Sequence, residues 1–317
     1  MSGTQWTGRL GKLGFGAAGI GNLYRAMSDA QADATVNAAW DAGVRYFDTA
    51  PHYGLGLSER RLGAVLSKKH RSEFTVSTKV GRLLVPNTAG ADAKDDEGFD
   101  VPATIKRQWD FSEAGIRRSI EESLERLGLD HVDVAYLHDP DFHDLAKGIG
   151  EALPALEKLR AEGVVKAIGV GSNSAEAALE CVDAADLDLV MLAGRYTLLE
   201  QPSVPLLDRC VERGTGVVNV GVFNSGLLAR PEVPEDAHYN YARAPRALVE
   251  RARALAGVCR DFGVELPTAA LQFSLRHPAV VNVTVGASAP EQIAANAARM
   301  NEDVPEELWA ALAGVTV

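Results

Sequence analysis

The chain has 317 residues, of which 46% are hydrophobic and 24% charged. That balance excludes a disordered chain, a collagen-like repeat and a coiled-coil rod. The 43 acidic residues against 32 basic ones leave a net charge of −11, a surface that repels nucleic acid and anionic lipid.

Met1 to Lys12 lacks a basic flank followed by an apolar stretch, so no signal peptide is read there. No apolar run approaches the roughly 20 residues that a membrane span needs. Leu13-Gly14-Phe15-Gly16 is a short candidate strand. Ala32, Val36, Ala39 and Trp40 recur at helical spacing, and Gly43 closes that helix. Val44 to Phe47 reads as the next strand. Ser58 to Ser67 reads as a helix with Ser58 as its N-cap. Phe74 to Val80 is a strand rich in β-branched residues. Gly81 to Asp110 then breaks the rhythm with Gly, Pro, Asn and the acidic run Asp92 to Asp100. A structureless connection of this length is a functional lid or a disordered segment. Residues 81–111 are therefore expected to form a long loop.

Ser112 caps a helix carrying Ile116, Ile120, Leu124 and Leu127 on one face, closed by Gly128. Val132 to Leu137 is a strand. Glu151 to Ala161 is a helix that tolerates Pro154 only near its first turn. Ala167 to Val170, Leu189 to Leu192, Gly216 to Val222 and Val281 to Val285 are further strand candidates. Helical stretches lie between them at Ala175 to Ala184, Val204 to Arg213, Arg246 to Phe262 and Pro267 to Arg276. Eight strands alternating with helices imply a parallel sheet. In one chain of this length they give a (β/α)8 TIM barrel, in a single domain over residues 1–317. A doubly wound sheet is the runner-up. Cys181, Cys210 and Cys259 are scattered, with no C-x-x-C pair. They fit a reducing compartment, so a cytoplasmic location is expected.

Gly14-Phe15-Gly16-Ala17-Ala18-Gly19 matches G-x-G-x-x-G. A dinucleotide-binding turn needs a helix opening at the glycines, where its N-terminus faces the pyrophosphate. Ile20 to Ser28 carries no helical spacing, so the segment reads as a barrel-mouth loop.

In a barrel, chemistry gathers where strands finish. Those ends carry Asp48, Lys79, His138 and Ser172-Asn173, and the loop after Asp48 can return Tyr53 to the centre. Singly, each has an ordinary reading: a turn cap, a solvated lysine, a core histidine, a half-buried aromatic. Together they form a proton-transfer group. A tyrosine of pKa about 10 is a poor acid or base at neutral pH. A nearby ammonium lowers that pKa, and an aspartate holds the ammonium in place. A histidine can orient a substrate oxygen.

Phe47-Asp48-Thr49-Ala50-Pro51-His52-Tyr53-Gly54, followed by Ser58-Glu59-Arg60-Arg61-Leu62-Gly63, resembles the signature of the aldo-keto reductases. Ser77-Thr78-Lys79, Tyr136-Leu137-His138 and Ile168-Gly169-Val170-Gly171-Ser172-Asn173 match that family's later strands, in order. The resemblance runs from about Leu10 to Asn296. It implies a nicotinamide cofactor held without a dinucleotide-binding domain. It makes Tyr53 the proton donor or acceptor, Lys79 its tuner, Asp48 the support of Lys79, and His138 the group that positions substrate. It assigns cofactor contacts to Gly16, Ser172, Asn173, Phe223, Ser225, Gly226, Leu227, Gly286, Ser288, Gln292 and Asn296.

The sequence departs from the family at three places. Ala193 stands where many members carry a sixth-strand glutamine, and Val220 where many carry a seventh-strand tyrosine. Gly286 and Gln292 stand where NADP-preferring members carry a lysine and an arginine. A phosphate dianion without cationic partners is poorly bound, so NAD is expected over NADP. Ala17 to Leu23, Leu192 to Leu199 and Val222 to Leu228 resemble members that oxidise aldoses such as L-fucose, L-galactose and D-arabinose. They also resemble those that oxidise pyridoxal. Both substrates close into cyclic hemiacetals and leave as lactones. A small-molecule substrate is expected, without nucleic-acid or membrane partners and without a metal. His52, Trp109 and Asp110 are candidates to touch substrate. Trp109 would either stack on its ring or anchor the loop on the barrel rim. A general carbonyl reductase and a non-enzymatic redox-sensing barrel subunit remain as alternatives.

Overall fold

The computed structural model describes residues 4–90, 93–239 and 242–316. Met1, and Asp92 at the head of the acidic run, lie outside the described residues. Eight parallel strands close into a barrel. In chain order its strands are β1 (Leu13–Gly16), β2 (Tyr46–Asp48), β3 (Thr75–Val80), β6 (Val134–His138), β7 (Ala167–Ser172), β8 (Leu189–Ala193), β9 (Gly216–Val220) and β12 (Val280–Gly286). Closure is made by β1, which pairs with β2 on one side and β12 on the other. Between them in number come β4 (Arg82–Pro86) and β5 (Ile105–Trp109), and β10 (His238–Tyr239) and β11 (Ala242–Arg243), each pair a small antiparallel ribbon outside the barrel.

The helices follow the sequence signals closely. Ser28 caps the helix Asp29–Asp41 by accepting from the Gln31 amide. Ser112 does the same for Glu113–Leu127, and Gly128 ends that helix at φ 62°. That helix buries Ile116, Ile120 and Leu127 in the layer between barrel and helices, together with Val36, Leu62, Leu156, Val182, Leu207 and Ile293. A separate cluster fills the barrel itself, with Tyr46, Val134, Tyr136, Leu189, Met191, Val218 and Val281. Trp6 and Leu10 of the N-terminal helix Thr4–Leu10 join this cluster, and Asn282 donates to the Leu10 and Gly11 carbonyls.

Two local expectations are corrected. Ser58 is not a helix cap. The helix is Leu57–Leu66, preceded by Gly56 at φ 80°, and the Ser58 hydroxyl turns inward to the Ala17 carbonyl at 2.7 Å and the Thr49 hydroxyl at 2.8 Å. Residues 81–111 are not structureless either. β4 and β5 form a hairpin with Arg82 opposite Trp109. Ile105, Arg107 and Trp109 are half-buried while Lys106 and Gln108 are exposed, the period-two alternation of a strand with one face covered.

Candidate active site

Side chains two apart on a strand share a face. Tyr46 lies in the barrel core, so Asp48 faces inward too, one step nearer the mouth. Ser77 and Lys79 repeat this on β3, and Tyr136 and His138 on β6. Small residues make the room. A Cβ on Gly169 would sit 2.8 Å from the Tyr136 ring, and one on Gly171 would touch the Lys79 stem at 3.8 Å.

Tyr53 arrives on the loop after β2. Gly54, Leu55 and Gly56 all have positive φ, and a Cβ on Gly54 would lie 2.2 Å from the Gly21 carbonyl oxygen. The loop therefore packs backbone to backbone on the segment after β1, which only glycine permits there. This brings the Tyr53 ring under the Lys79 ammonium, 4.6 Å from its centroid.

Lys79 Nζ donates to Asp48 Oδ2 at 2.6 Å and to the Thr49 carbonyl at 3.1 Å, and Ser77 donates to Asp48 Oδ1 at 2.7 Å. All of these side chains are buried. Burial opposes the Lys79 charge, but Asp48 and Tyr53 carry its pKa above the ordinary lysine value. Burial pushes the Asp48 carboxyl up, with Lys79 and Ser77 pulling against it. At Tyr53 two effects oppose each other. Lys79 does pull its pKa down, but burial outweighs the ammonium and the net direction is upward. His138 is driven well below the ordinary histidine range by burial and then by Arg82 and Lys79, so it is a neutral imidazole.

One wall comes from the hairpin. Arg107 donates through Nε to His52 Nδ1 at 2.6 Å and through Nη2 to the His52 carbonyl at 2.9 Å. It also forks onto Asp95 at 2.5 and 3.1 Å. Arg82 binds Asp139 at 2.7 Å and lies 4.3 Å over the Trp109 ring. Burial, then Arg82 and Arg107, press His52 down to about 2. It is neutral, and because Nδ1 accepts from arginine, its proton sits on Nε2. Burial raises Asp139 to about 6 against the pull of Arg82.

These groups enclose a cavity of about 610 Å³ lined by Tyr53, Lys79, His138, His52, Arg82, Glu97, Phe99, Ser172, Asn173 and others. Its mouth carries Tyr24 and Phe142, which are 65% and 66% exposed. Ala193 and Val220, the positions that depart from the family pattern, also line it. A second cavity of about 570 Å³ begins at Phe223, just past Gly221 of the first. Ser225, Gly226, Gly286, Gln292 and Asn296 line it with Phe223, as do Arg230, Asp236 and Arg299.

The sequence candidates thus divide. Asp48, Tyr53, Lys79 and His138 meet at the strand ends, with His52 beside them. Gly16 lies in β1 beside Gly286. Leu227 is buried in a core cluster, and Ser288 bonds Arg25 and Gln292. Trp109 and Asp110 have partners of their own. Trp109 is held between Arg82 and a stacked His143, centroids 5.1 Å apart, which makes it a loop anchor. Asp110 accepts from the Ser112 amide and hydroxyl. Sequence reasoning missed Arg82, Glu97 and Phe99 of the wall. The available signal was two arginines inside an acidic insertion that alternates at both ends. Among the described residues no group of three His, Cys, Asp or Glu side chains could hold a metal ion, and no helix is long and apolar enough to cross a membrane.

The sequence profile of the aldo/keto reductase family matches residues 12–316. A D-threo-aldose 1-dehydrogenase from a Pseudomonas species is 55% identical, the match covering 95% of this chain and 92% of the relative. A pyridoxal 4-dehydrogenase from Microbacterium luteolum is 39% identical over the same shares of the two chains. Among solved structures, the holo form of an aldo-keto reductase from Bacillus halodurans superposes with a TM-score of 0.76 at 26% identity, covering 96% of this chain and 91% of that one.

Proposed function

The chain belongs to the aldo/keto reductase family, and from that membership we propose that it oxidises the hemiacetal form of an aldose at the anomeric carbon to a lactone, with NAD. The observation that carries this is the 55% identity to an aldose dehydrogenase along nearly the whole chain.

The two adjoining cavities suit an extended dinucleotide. Ser172 and Asn173 would hold the carboxamide end, and Phe223, Ser225, Gly226, Gly286, Gln292 and Asn296 the far end. Next to Phe223 and Ser225 in the chain, the buried Asn224 Oδ1 has no hydrogen-bond partner among the described residues. The chemistry the nicotinamide supplies when bound is acceptance of a hydride. The chain's own residues manage the proton. Tyr53, as phenolate, takes the proton of the anomeric hydroxyl. Lys79 stabilises that phenolate, and Asp48 keeps Lys79 charged and in place. Neutral His138 donates to the substrate oxygen as it becomes a carbonyl. His52 Nε2–H and the half-exposed Glu97 carboxylate supply a donor and an acceptor for the remaining hydroxyls.

NAD is favoured by Gly286 and by Gln292, whose Oε1 accepts from the Ser288 amide at 2.8 Å. Neither supplies charge for a 2′-phosphate. Arg299 on the same cavity is tied to Glu265 at 3.0 Å. Fluorescence titration should give a lower Kd for NADH than for NADPH, and the reverse order overturns the preference.

A second reading is oxidation of pyridoxal to its lactone, favoured by the 39% identity to a pyridoxal dehydrogenase. One experiment separates the readings. NADH formation is followed with L-fucose, L-galactose, D-arabinose or pyridoxal as sole substrate. The highest kcat/KM on an aldose supports the main reading. The highest value on pyridoxal replaces it.

A further inference from the structure

The barrel core holds a polar thread that the proposed proton chemistry does not use. Tyr136 and Tyr46 are among the largest fully buried side chains of the protein. Their hydroxyls lie 3.2 Å apart, and the Tyr46 hydroxyl lies 2.9 Å from Ser77 Oγ. Ser77 Oγ in turn donates to Asp48 Oδ1 at 2.7 Å. The other Asp48 oxygen receives the Lys79 ammonium.

Proton directions along this thread are forced. An ionised carboxylate only accepts, so Ser77 donates its one proton to Asp48. Tyr46 must then donate to Ser77, and Tyr136 to Tyr46. Every hydroxyl points its proton down the line toward one carboxylate oxygen. Aligned hydrogen bonds of this kind polarise one another in a dry interior. Packing alone does not call for them. Burying a phenol hydroxyl has a desolvation cost, and a pair of phenylalanines would fill the same space with no oxygen to satisfy.

We infer that Ser77, Tyr46 and Tyr136 are positioning residues, a one-way hydroxyl chain that fixes the Asp48 carboxylate and so sets how far Lys79 leans toward Tyr53. This inference rests on the reading of Tyr53 as the proton-transfer group. When the chain is cut, Asp48 loses a donor on Oδ1 and draws harder on the Lys79 proton. Less of the ammonium's field is left for Tyr53, and its phenolate becomes harder to form.

The charges around the thread come from several elements. Asp48 is faced by Lys79 of β3. Tyr46 is faced by Tyr136 and Asp48. Tyr136 feels Asp48 and Asp188. Tyr53 feels Lys79, Asp48 and Asp139 and packs against His52 and His138, while Arg82 feels Tyr53. None of these is altered by Tyr46→Phe, Ser77→Ala or Tyr136→Phe except the phenols themselves.

The test is a titration that needs no substrate. Protein labelled with 13C at tyrosine Cζ is titrated by NMR, with the Tyr53 signal assigned by its loss in Tyr53→Phe. The expected result is an upward shift of the Tyr53 midpoint, graded by distance along the chain. It should be about one pH unit in Ser77→Ala, about half a unit in Tyr46→Phe, and less in Tyr136→Phe. If Tyr46→Phe alone folds poorly, Tyr46→Phe/Tyr136→Phe removes both oxygens and leaves no orphan, and it must shift the midpoint as Tyr46→Phe does. The kcat-pH profile of oxidation should move with the midpoint. Midpoints equal to wild type in all the variants overturn the inference and leave the thread as packing. A Tyr53 midpoint that shifts while Tyr53→Phe retains full turnover instead overturns the role of Tyr53, and the chain's effect on it stands.

Discussion

Arg107→Met should detach the wall of the cavity without touching its chemistry. Arg107 and Asp95 form a forked pair with side chains only 6% and 3% exposed, and the same guanidinium holds the His52 ring and carbonyl. Methionine keeps most of the side-chain volume but leaves Asp95 as an unpaired buried charge. Breaking a buried pair from one side costs about 3–5 kcal/mol. For a chain this long, at about 2 °C per kcal/mol, the melting temperature should fall by about 6–10 °C. The loss is concentrated in the hairpin, which carries Glu97 and Phe99 on its 87–104 connection. KM for the aldose should therefore rise about tenfold, equivalent to ~1.4 kcal/mol of binding, with kcat within about twofold because Tyr53 and Lys79 are untouched. Two assays read this out, thermal unfolding followed by circular dichroism and steady-state kinetics on the aldose. Asp95→Leu/Arg107→Met removes both charges and should recover most of the stability. An Arg107→Met protein that melts within about 1 °C of wild type with an unchanged KM would refute the claim that this pair pins the wall.

Tyr53→Phe should lower kcat by about 10²–10⁴-fold and leave the Kd for NADH nearly unchanged, which stopped-flow kinetics and fluorescence titration measure side by side. Because burial pushes the Tyr53 hydroxyl above the ordinary tyrosine value, the phenolate is the minor form at neutral pH. The oxidation rate should climb with pH through 7 to 10, while the rate of aldehyde reduction falls at the alkaline end. A flat oxidation profile would contradict this. Asp139, raised to about 6, charges as pH rises through that value, beside neutral His138. Any step in kcat/KM near pH 6 should vanish in Asp139→Asn, and a step that survives belongs to another group. Raised pKa also means that ionising Asp139 opposes folding, so its contribution to stability is full below pH 4 and lost as pH rises through 6. Gly54→Ala places a methyl against the Gly21 carbonyl at a positive φ. It should cut kcat at least as strongly as KM rises, and equal activity to wild type would show that the loop relaxes freely.

The barrel was legible because its two periodicities are undisturbed. Strands such as Ala167–Ser172 are buried on both faces and read as continuous small and apolar runs. Helix ends are marked by glycines such as Gly128 and Gly214 in the left-handed region. β2 starts at Tyr46 rather than Val44, since the Val44 amide still bonds back to the Ala39 carbonyl of the preceding helix. Asp48, Tyr53, Lys79 and His138 were legible because strand ends and a known signature coincide. Half of that signature is scaffold. Glu59 is fully buried and pairs with Arg126 and Thr78. Arg61 binds the Ile20 and Met27 carbonyls. A Cβ on Gly63 would lie 2.1 Å from the Leu127 carbonyl. Arg82, Glu97 and Phe99 were not legible because barrel periodicity says nothing about an insertion. There the many acids of the connection obscured the alternation at its ends. Of the two readings of Trp109, the loop anchor is the one its contacts support, because the hairpin register places it opposite Arg82.

That register has a consequence for how substrate choice can change. Arg82 and Trp109 are direct partners, so the excursion over the mouth leaves and rejoins the barrel at one spot. The strand-to-helix junction beneath behaves as a two-ended socket, and the insertion's other ties run through Arg107 to His52 and through Gly98 and Asp100 to the segment after β1. Closing a longer or shorter loop there adds only a logarithmic entropy term. The hairpin can thus vary around a fixed tie, the Asp95–Arg107 pair and its bonds to His52. Changes elsewhere in 83–108 can reshape the cavity wall while Asp48, Tyr53, Lys79 and His138, rooted in other elements, stay in place.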